Sequence, residues 1–405
     1  MIHTIIIILF CLVSAFFRPD RACCSEMKLI PSVHLRQEYI DNLFTTQNDI
    51  EDDFISTASP GLTLKQQSER LQLNLNSHLD RSWYKNNNEL NGYDQAASGV
   101  LSYAATERLD LSAETSYSRD SRPDRDLDET GLILDTTRRD RYDGGISGSY
   151  LISEKTSASL SSSFHQDDYE TTGNENNDYK SSAANMGIFH QPAWLNQLPT
   201  IFCNVQYSRY EYETSTVDYY SVSTGAESDV TETFNIRFDI GARYTVSEFQ
   251  TSKWILSNPP YGYELAVVEE TNSSKGGIGQ VSLNYHGEFI HCTTSISHDI
   301  QPASGRAGSS ERTSTALIIG KRFSEELNGS LDGSYYVNNA DKDEFSSAEI
   351  DEKAFQLSVR SRYTFSPFVY LEAGHSFTRI MDEAADTEAD RNLTFINYVH
   401  GFEMN

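Results

Sequence analysis

Two places in the sequence set a histidine beside groups that could act with it. His165 is followed by Asp167 and Asp168, and His375 stands next to Ser376. A histidine near a carboxylate can serve as a general base, and one near a serine can activate a nucleophile. Neighbours along a strand point to opposite faces, however, so His375 and Ser376 cannot work as a pair on one. His165 with its two aspartates reads as a solvated base where a strand runs into a loop. The histidines His78, His165, His190, His291, His298 and His375 are spread over separate strands without metal-ligand spacing. The glycine run SKGGIGQ lacks the preceding strand and following helix that give a phosphate loop its meaning. The sequence thus assigns no catalytic residue, no cofactor and no metal ligand, and the chain reads as a non-enzyme.

The charged residues say more. Arg237, Asp239 and Arg243 recur at even spacing on one segment, Arg360 and Arg362 on another, and Glu372 follows on the next. Alternation places these six on an inner face together with Asp80, Asp110, Glu114 and Asp332. Facing acids and bases create the transverse fields by which a pore selects solutes. The alternative is that they form internal ion pairs that only brace the wall. A formal net charge of −27 repels anionic polymers and argues against nucleic acid as a partner.

The elements that must carry these residues are strands. From Leu29 onward polar and apolar residues alternate at period two in segments of about ten to fourteen residues, the length of a strand tilted across an outer membrane. Leu71, Leu73, Leu75 and Leu79 oppose Gln72, Asn74, Asn76, His78 and Asp80. Phe234, Ile236, Phe238, Ile240, Ala242, Tyr244 and Val246 oppose Asn235, Arg237, Asp239, Gly241, Arg243 and Thr245. One such segment would suit a soluble sandwich as well. Recurrence along the whole chain, with apolar faces often ending in tyrosine or phenylalanine, points to a membrane barrel with interface girdles. No apolar stretch after the N-terminal one approaches the roughly twenty residues of a membrane helix.

Short connections, ATERLD, ISEKTS, VSEFQ, YHGEF, FSEELN and FSPFV, alternate with long acidic ones such as DSRPDRDLDETGLILDTT and NNADKDEFSSAEIDE. That asymmetry separates periplasmic turns from extracellular loops. The count is eighteen antiparallel strands, running from 29 to 44 through 199 to 212, 232 to 247, 249 to 258 and 275 to 286 to a last one at 391 to 404. Sixteen is the alternative, since 249 to 274 also reads as a loop with its own small hairpin.

The opening MIHTIIIILFCLVSAFF is an apolar run of export-signal length, although no Lys or Arg precedes it. Residues 1–25 are therefore expected to be a signal peptide and residues 26–405 an outer-membrane barrel. Lipidation of Cys23 or Cys24 is disfavoured by Pro19, Asp20 and Arg21 just before them. Cys203 and Cys292 stand singly on apolar-facing positions, so no disulfide framework is indicated.

The first hairpin of the expected barrel carries Glu38, Tyr39, Asp41, Asn42 and Phe44, then Asp53, Phe54, Pro60 and Gly61. In these residues it resembles the β-barrel porin family associated with exopolysaccharide loci and with the exosortase protein-sorting system. The rest of the chain matches that family only in strand rhythm, tyrosine use and short turns. The resemblance implies an architectural hairpin with no catalytic role. Asp41 and Asn42 are expected to bond their own backbone, with Asn42 tolerating the left-handed conformation, and Pro60–Gly61 to break or bulge the second strand. An ion held by Asp41, Asp49, Asp52 and Asp53 is the functional alternative. The final FINYVHGFEMN lacks a terminal aromatic residue, and Phe395 and Phe402 are the candidates to replace it.

An eighteen-strand barrel is wide enough for an aqueous passage unless loops plug it. The expected task is passive conduction or guided export of a hydrophilic solute, which the resemblance narrows to an extracellular polysaccharide. The expected partners are outer-membrane lipid and lipopolysaccharide, the barrel-insertion machinery and polysaccharide-export components. The rival is a non-conducting surface barrel whose acidic loops bind cations, lipopolysaccharide or another cell. Loop tyrosines Tyr219, Tyr220, Tyr261 and Tyr263 could stack on sugars under either reading.

Overall fold

A computed structural model describes residues 26–122, 138–170, 178–192, 199–256, 263–302, 309–341 and 349–402. Residues 1–25, where the export signal is expected, and Tyr261 lie outside them. The chain forms eighteen strands: β1 (Glu26–Ile40), β2 (Asp53–Gln67), β3 (Leu71–Tyr84), β4 (Gly92–Thr106), β5 (Leu109–Asp120), β6 (Arg139–Ser153), β7 (Thr156–Tyr169), β8 (Tyr179–His190) and β9 (Thr200–Tyr212). The second half holds β10 (Ser215–Thr231), β11 (Phe234–Leu256), β12 (Tyr263–His286), β13 (Ile290–Pro302), β14 (Ser309–Arg322), β15 (Leu327–Ala340), β16 (Ile350–Ser366), β17 (Val369–Asp382) and β18 (Thr387–Gly401).

Every strand pairs antiparallel with its sequence neighbours, and β1 pairs with β18 from Ser32↔Gly401 to Ile40↔Leu393, so the sheet closes on itself. Closure leaves no free edge along the paired span, which is what a backbone in hydrocarbon requires. Alternation supplies two faces. Phe238 and Ile240 stand 48% and 65% exposed on the outside, while Asp239 and Arg243 point inward. The outer face carries two aromatic belts. Tyr39 on Phe54, Tyr117 on Tyr142 and Tyr207 on Tyr220, with ring centroids 4.7, 5.1 and 5.1 Å apart, belong to the loop end. Tyr150, Tyr285, Tyr363 and Phe365 belong to the turn end. On β6 the eight steps from Tyr142 to Tyr150 cover about 27 Å, or about 20 Å along the normal after a strand tilt of about 40°. That height fits a hydrocarbon layer, and the chain is an outer-membrane β-barrel.

The strand count agrees with the expectation through two errors that cancel. The segment VSEFQ is no turn: β11 runs straight through it, so the expected strands 232–247 and 249–258 are one. The polar stretch after Tyr212, read as a loop, is the whole of β10, joined to β9 by a tight turn at Glu213–Thr214. Its inner face is Val217, Tyr219 and Ser221, so few apolar residues mark it. β12 likewise begins at Tyr263 rather than near 275. Tyr219 and Tyr220 are therefore not loop residues: Tyr219 is buried facing inward and Tyr220 faces lipid.

Candidate functional site: the barrel lumen

The first hairpin ties the barrel shut at its outer mouth. Asp41 accepts from the backbone N–H of Asn392 at 2.6 Å and from its side-chain amide at 2.7 Å, so it bonds β18 rather than its own backbone. Asn42 accepts from Thr46 N–H at 3.0 Å and donates to the carbonyls of Thr46 and Asp390 at 2.8 and 2.9 Å. The left-handed residues of this connection are Thr45 and Asp49, not Asn42. Phe44 packs on a core of Ile40, Leu43, Ile55, Tyr84, Leu393 and Phe395 beneath the loop.

Asp53 is fully buried, and its carboxylate takes N–H donors from Lys85 at 2.8 Å, Asn86 at 3.0 Å and Asn87 at 2.9 Å, plus the Asn87 amide at 3.1 Å. Burial pushes its pKa up, but the donors outweigh it and hold the group below the ordinary carboxylate value. Asp41 and Asp53 are thus committed to protein N–H groups, which leaves the ion-binding alternative without its central ligands. Tyr39 and Phe54 belong to the outer girdle. At Pro60 the ladder to β3 skips from Ala58↔Arg81 to Gly61↔His78 without changing register. Only the pairing with β3 is interrupted there, as proline lacks a donor; β2 itself runs on, paired with β1 at Val33↔Pro60, and is neither broken nor bulged.

Glu38 is the motif residue that reaches the lumen. Its carboxylate, fully buried, holds Arg36 at 2.6 Å and Arg122 at 2.9 Å. Arg122 comes from just beyond β5, four strands away, so its side chain reaches across the lumen to β1. Arg36 also lies over the Phe395 ring at 4.1 Å. Phe395 therefore faces inward and cannot serve as the terminal membrane aromatic; Phe402, 49% exposed beyond β18, remains.

These residues open onto an interior cavity of about 700 Å³, lined by His34, Arg36, Asp80, Arg122, Asp332, Arg360, Glu372 and Arg391 among hydroxyl and amide side chains. Of the six predicted lumen residues, Arg360 and Glu372 line it. Arg360 donates to Asp332 at 2.6 Å, and Arg362 pairs with Glu372 at 2.6 Å. Arg237, Asp239 and Arg243 lie on β11, away from this cavity. Arg237 pairs with Glu227 at 3.3 Å and covers the inward Phe202 ring at 4.5 Å. Arg243 is buried against Glu311. Sequence reasoning passed over His34 and Arg36, and took Glu38 as a hairpin residue rather than a lumen one, although all three alternate with the outward Val33, Leu35 and Tyr39 and were legible on that ground. Arg122 and Arg391 carried no such signal.

The His165 group is not a solvated loop base. His165 lies within β7, with Nδ1 2.5 Å from Asp143 and Nε2 2.6 Å from the Tyr179 hydroxyl. Asp167 is fully buried and ion-paired with Arg141 at 2.8 Å and Arg139 at 3.4 Å. Every member has an opposite partner, which is the pattern of a brace. His375 bonds Thr394 at 2.9 Å on the outer face while Ser376 lines the cavity, as alternation requires.

No family model and no curated protein matches this sequence. Solved structures do. The ferric-catecholate import receptor Fiu of E. coli K12, in its open form, aligns with a TM-score of 0.51 at 7% identity, over 93% of this chain and 82% of that one. The outer membrane protein OpdK of Pseudomonas aeruginosa aligns at 0.44 and 10% identity over 92% and 99%. OccAB1 of Acinetobacter baumannii aligns at 0.46 and 12% over 94% and 97%. At these identities the likeness is one of fold alone, that of an outer-membrane β-barrel.

Proposed function

We propose that this barrel is a non-enzymatic conduit that passes a hydrophilic cargo across the outer membrane, the cargo class being an extracellular polysaccharide. The observation that carries the reading is the cavity between β1–β3 and β14–β18. Guanidinium, carboxylate, hydroxyl and amide groups stand side by side on its wall, and Arg36, Arg122 and Arg360 are already ion-paired. Such a wall exchanges hydrogen bonds with a hydroxyl-rich chain much as water does, and its countered charges avoid the tight binding that would stop transit. The narrowing to polysaccharide rests on the resemblance of the first hairpin. Lipid and lipopolysaccharide would surround the apolar belt, the barrel-insertion machinery would install it, and polysaccharide-export components would feed it.

A clean deletion should leave polymer in the periplasm while monomer synthesis continues, and the pure barrel should give discrete conductance steps in planar bilayers. Unchanged surface polysaccharide together with no conductance would defeat this reading. The non-conducting surface barrel would then stand, and the burial of Glu38, Arg139, Asp167 and Arg243 around the mouth favours it.

A further inference from the structure

The end of the β13–β14 hairpin leaves the barrel wall. The β12–β13 ladder stops at Gly279↔His298, although β12 continues outward to Tyr263 and β13 stays paired with β14 as far as Pro302↔Ser309. Two side chains then lie on the unexpected side. Ile300 and Glu311 face each other in register and by alternation share the face of the lipid-facing Ile296. Yet Ile300 is only 4% exposed, in a cluster with Tyr219, Ala340 and Ile350, which are inward-facing residues of β10, β15 and β16. Glu311 is ion-paired to the buried Arg243 on the inner face of β11. The Tyr219 hydroxyl donates to Asp299 at 2.8 Å.

A wall cannot make these contacts. β10 and β16 are six strands apart, about 29 Å along the sheet at about 4.8 Å per strand. One apolar cluster can contain residues of both only if something fills the space between them inside the barrel, and the hairpin end does so. Gly276, opposite Arg243, makes room for the latch: a Cβ there would lie 2.6 Å from the guanidinium.

We propose that the hairpin end formed by residues 299–302 and 309–312 is a gate across the outer mouth, held shut by the Tyr219–Asp299 and Arg243–Glu311 contacts. The proposal rests on the conduction reading. Released from β12, the hairpin keeps its ladder to β15, as in Glu311↔Asn339, and that ladder is the hinge. Opening breaks the Tyr219–Asp299 hydrogen bond, the Arg243–Glu311 ion pair and the packing of Ile300 on Tyr219, Ala340 and Ile350, contacts that a cargo or a partner could displace.

The test begins by replacing Cys203 and Cys292 with serine, then introduces Arg243→Cys with Glu311→Cys. A bismaleimide of about 10 Å reach, roughly the length of the two side chains replaced, should link them in folded, heat-modifiable barrel. Linked barrel should conduct less than unlinked barrel. Separately, Tyr219→Phe combined with Glu311→Gln should raise open-state occupancy about tenfold, the factor equivalent to about 1.4 kcal/mol, with heat-modifiable migration unchanged. Absence of the cross-link in folded protein would overturn the gate whatever the conductance. So would a cross-link with a double variant that opens no more often than the parent. Whether the parent conducts at all tests the conduit reading on its own.

Discussion

Replacing Asp53 with alanine should lower barrel stability by about 3 to 5 kcal/mol, the order expected when several hydrogen bonds to one buried charged acceptor are lost together. The magnitude follows from the four donors at 2.8 to 3.1 Å that converge on this fully buried carboxylate. Hydrogen bonds to a charged group are worth about 1.5 to 3 kcal/mol each, but the four share one acceptor and do not add. Losing it strands the N–H groups of Asn86 and Asn87, whereas the Lys85 N–H keeps the Phe54 carbonyl at 3.1 Å, so the β3–β4 connection is loosened on β2. Because the folded pKa lies below the ordinary value, the contribution is complete at neutral pH. The share of it that depends on the carboxylate's charge fades as pH falls below about 4 and is gone below the folded pKa, where both states bind the proton, while the share carried by hydrogen bonds to the neutral group remains. Urea unfolding of the barrel in lipid vesicles, read by heat-modifiable migration over a pH series, measures this. Asp52→Ala, exposed beside it, should change stability by less than about 0.5 kcal/mol. Equal effects from the two variants, or an Asp53→Ala deficit that persists unchanged to about pH 2, would refute the reasoning.

On the lipid face, Phe238→Arg should destabilise by about 2 to 4 kcal/mol near the bilayer midplane, whereas inward Asn74→Arg should fold nearly normally; matching damage would mean the two faces are misassigned. Cysteines placed at Asp386 and at Lys155 lie at opposite ends of the barrel, and a membrane-impermeant maleimide should label only the first on intact cells. Arg360→Gln uncovers Asp332 in the cavity, so reversal potentials under a salt gradient should move towards cation preference. An unmoved reversal potential would take Arg360 off the conduction path. Asp41→Ala and Asn392→Ala should weaken closure non-additively, since they remove the same contact between β1 and β18.

Alternation along the chain determined the fold class and the inward and outward faces of most strands. These are legible because the period-two rule is local: each residue's face follows from its neighbours, whatever lies across the barrel. The same locality explains the failure at β10. Its outer face carries Tyr220 and Val222 but its flanks are polar, so a strand sealed by β9 and β11 reads as a loop until its partners are known.

The sequence also marked the first hairpin as distinctive, but not why. Asp41 meets Asn392 across 351 positions of chain, and Asp53 meets donors 32 to 34 residues away. Such pairings depend on ring closure and register, which no local pattern encodes. For the same reason alternation put Ile300 and Glu311 on the outer face, and only the tertiary structure turned them inward. Once the β12–β13 ladder ends, nothing fixes that hairpin to the wall, and its direction is decided by distant groups: Tyr219, Arg243, Ala340 and Ile350.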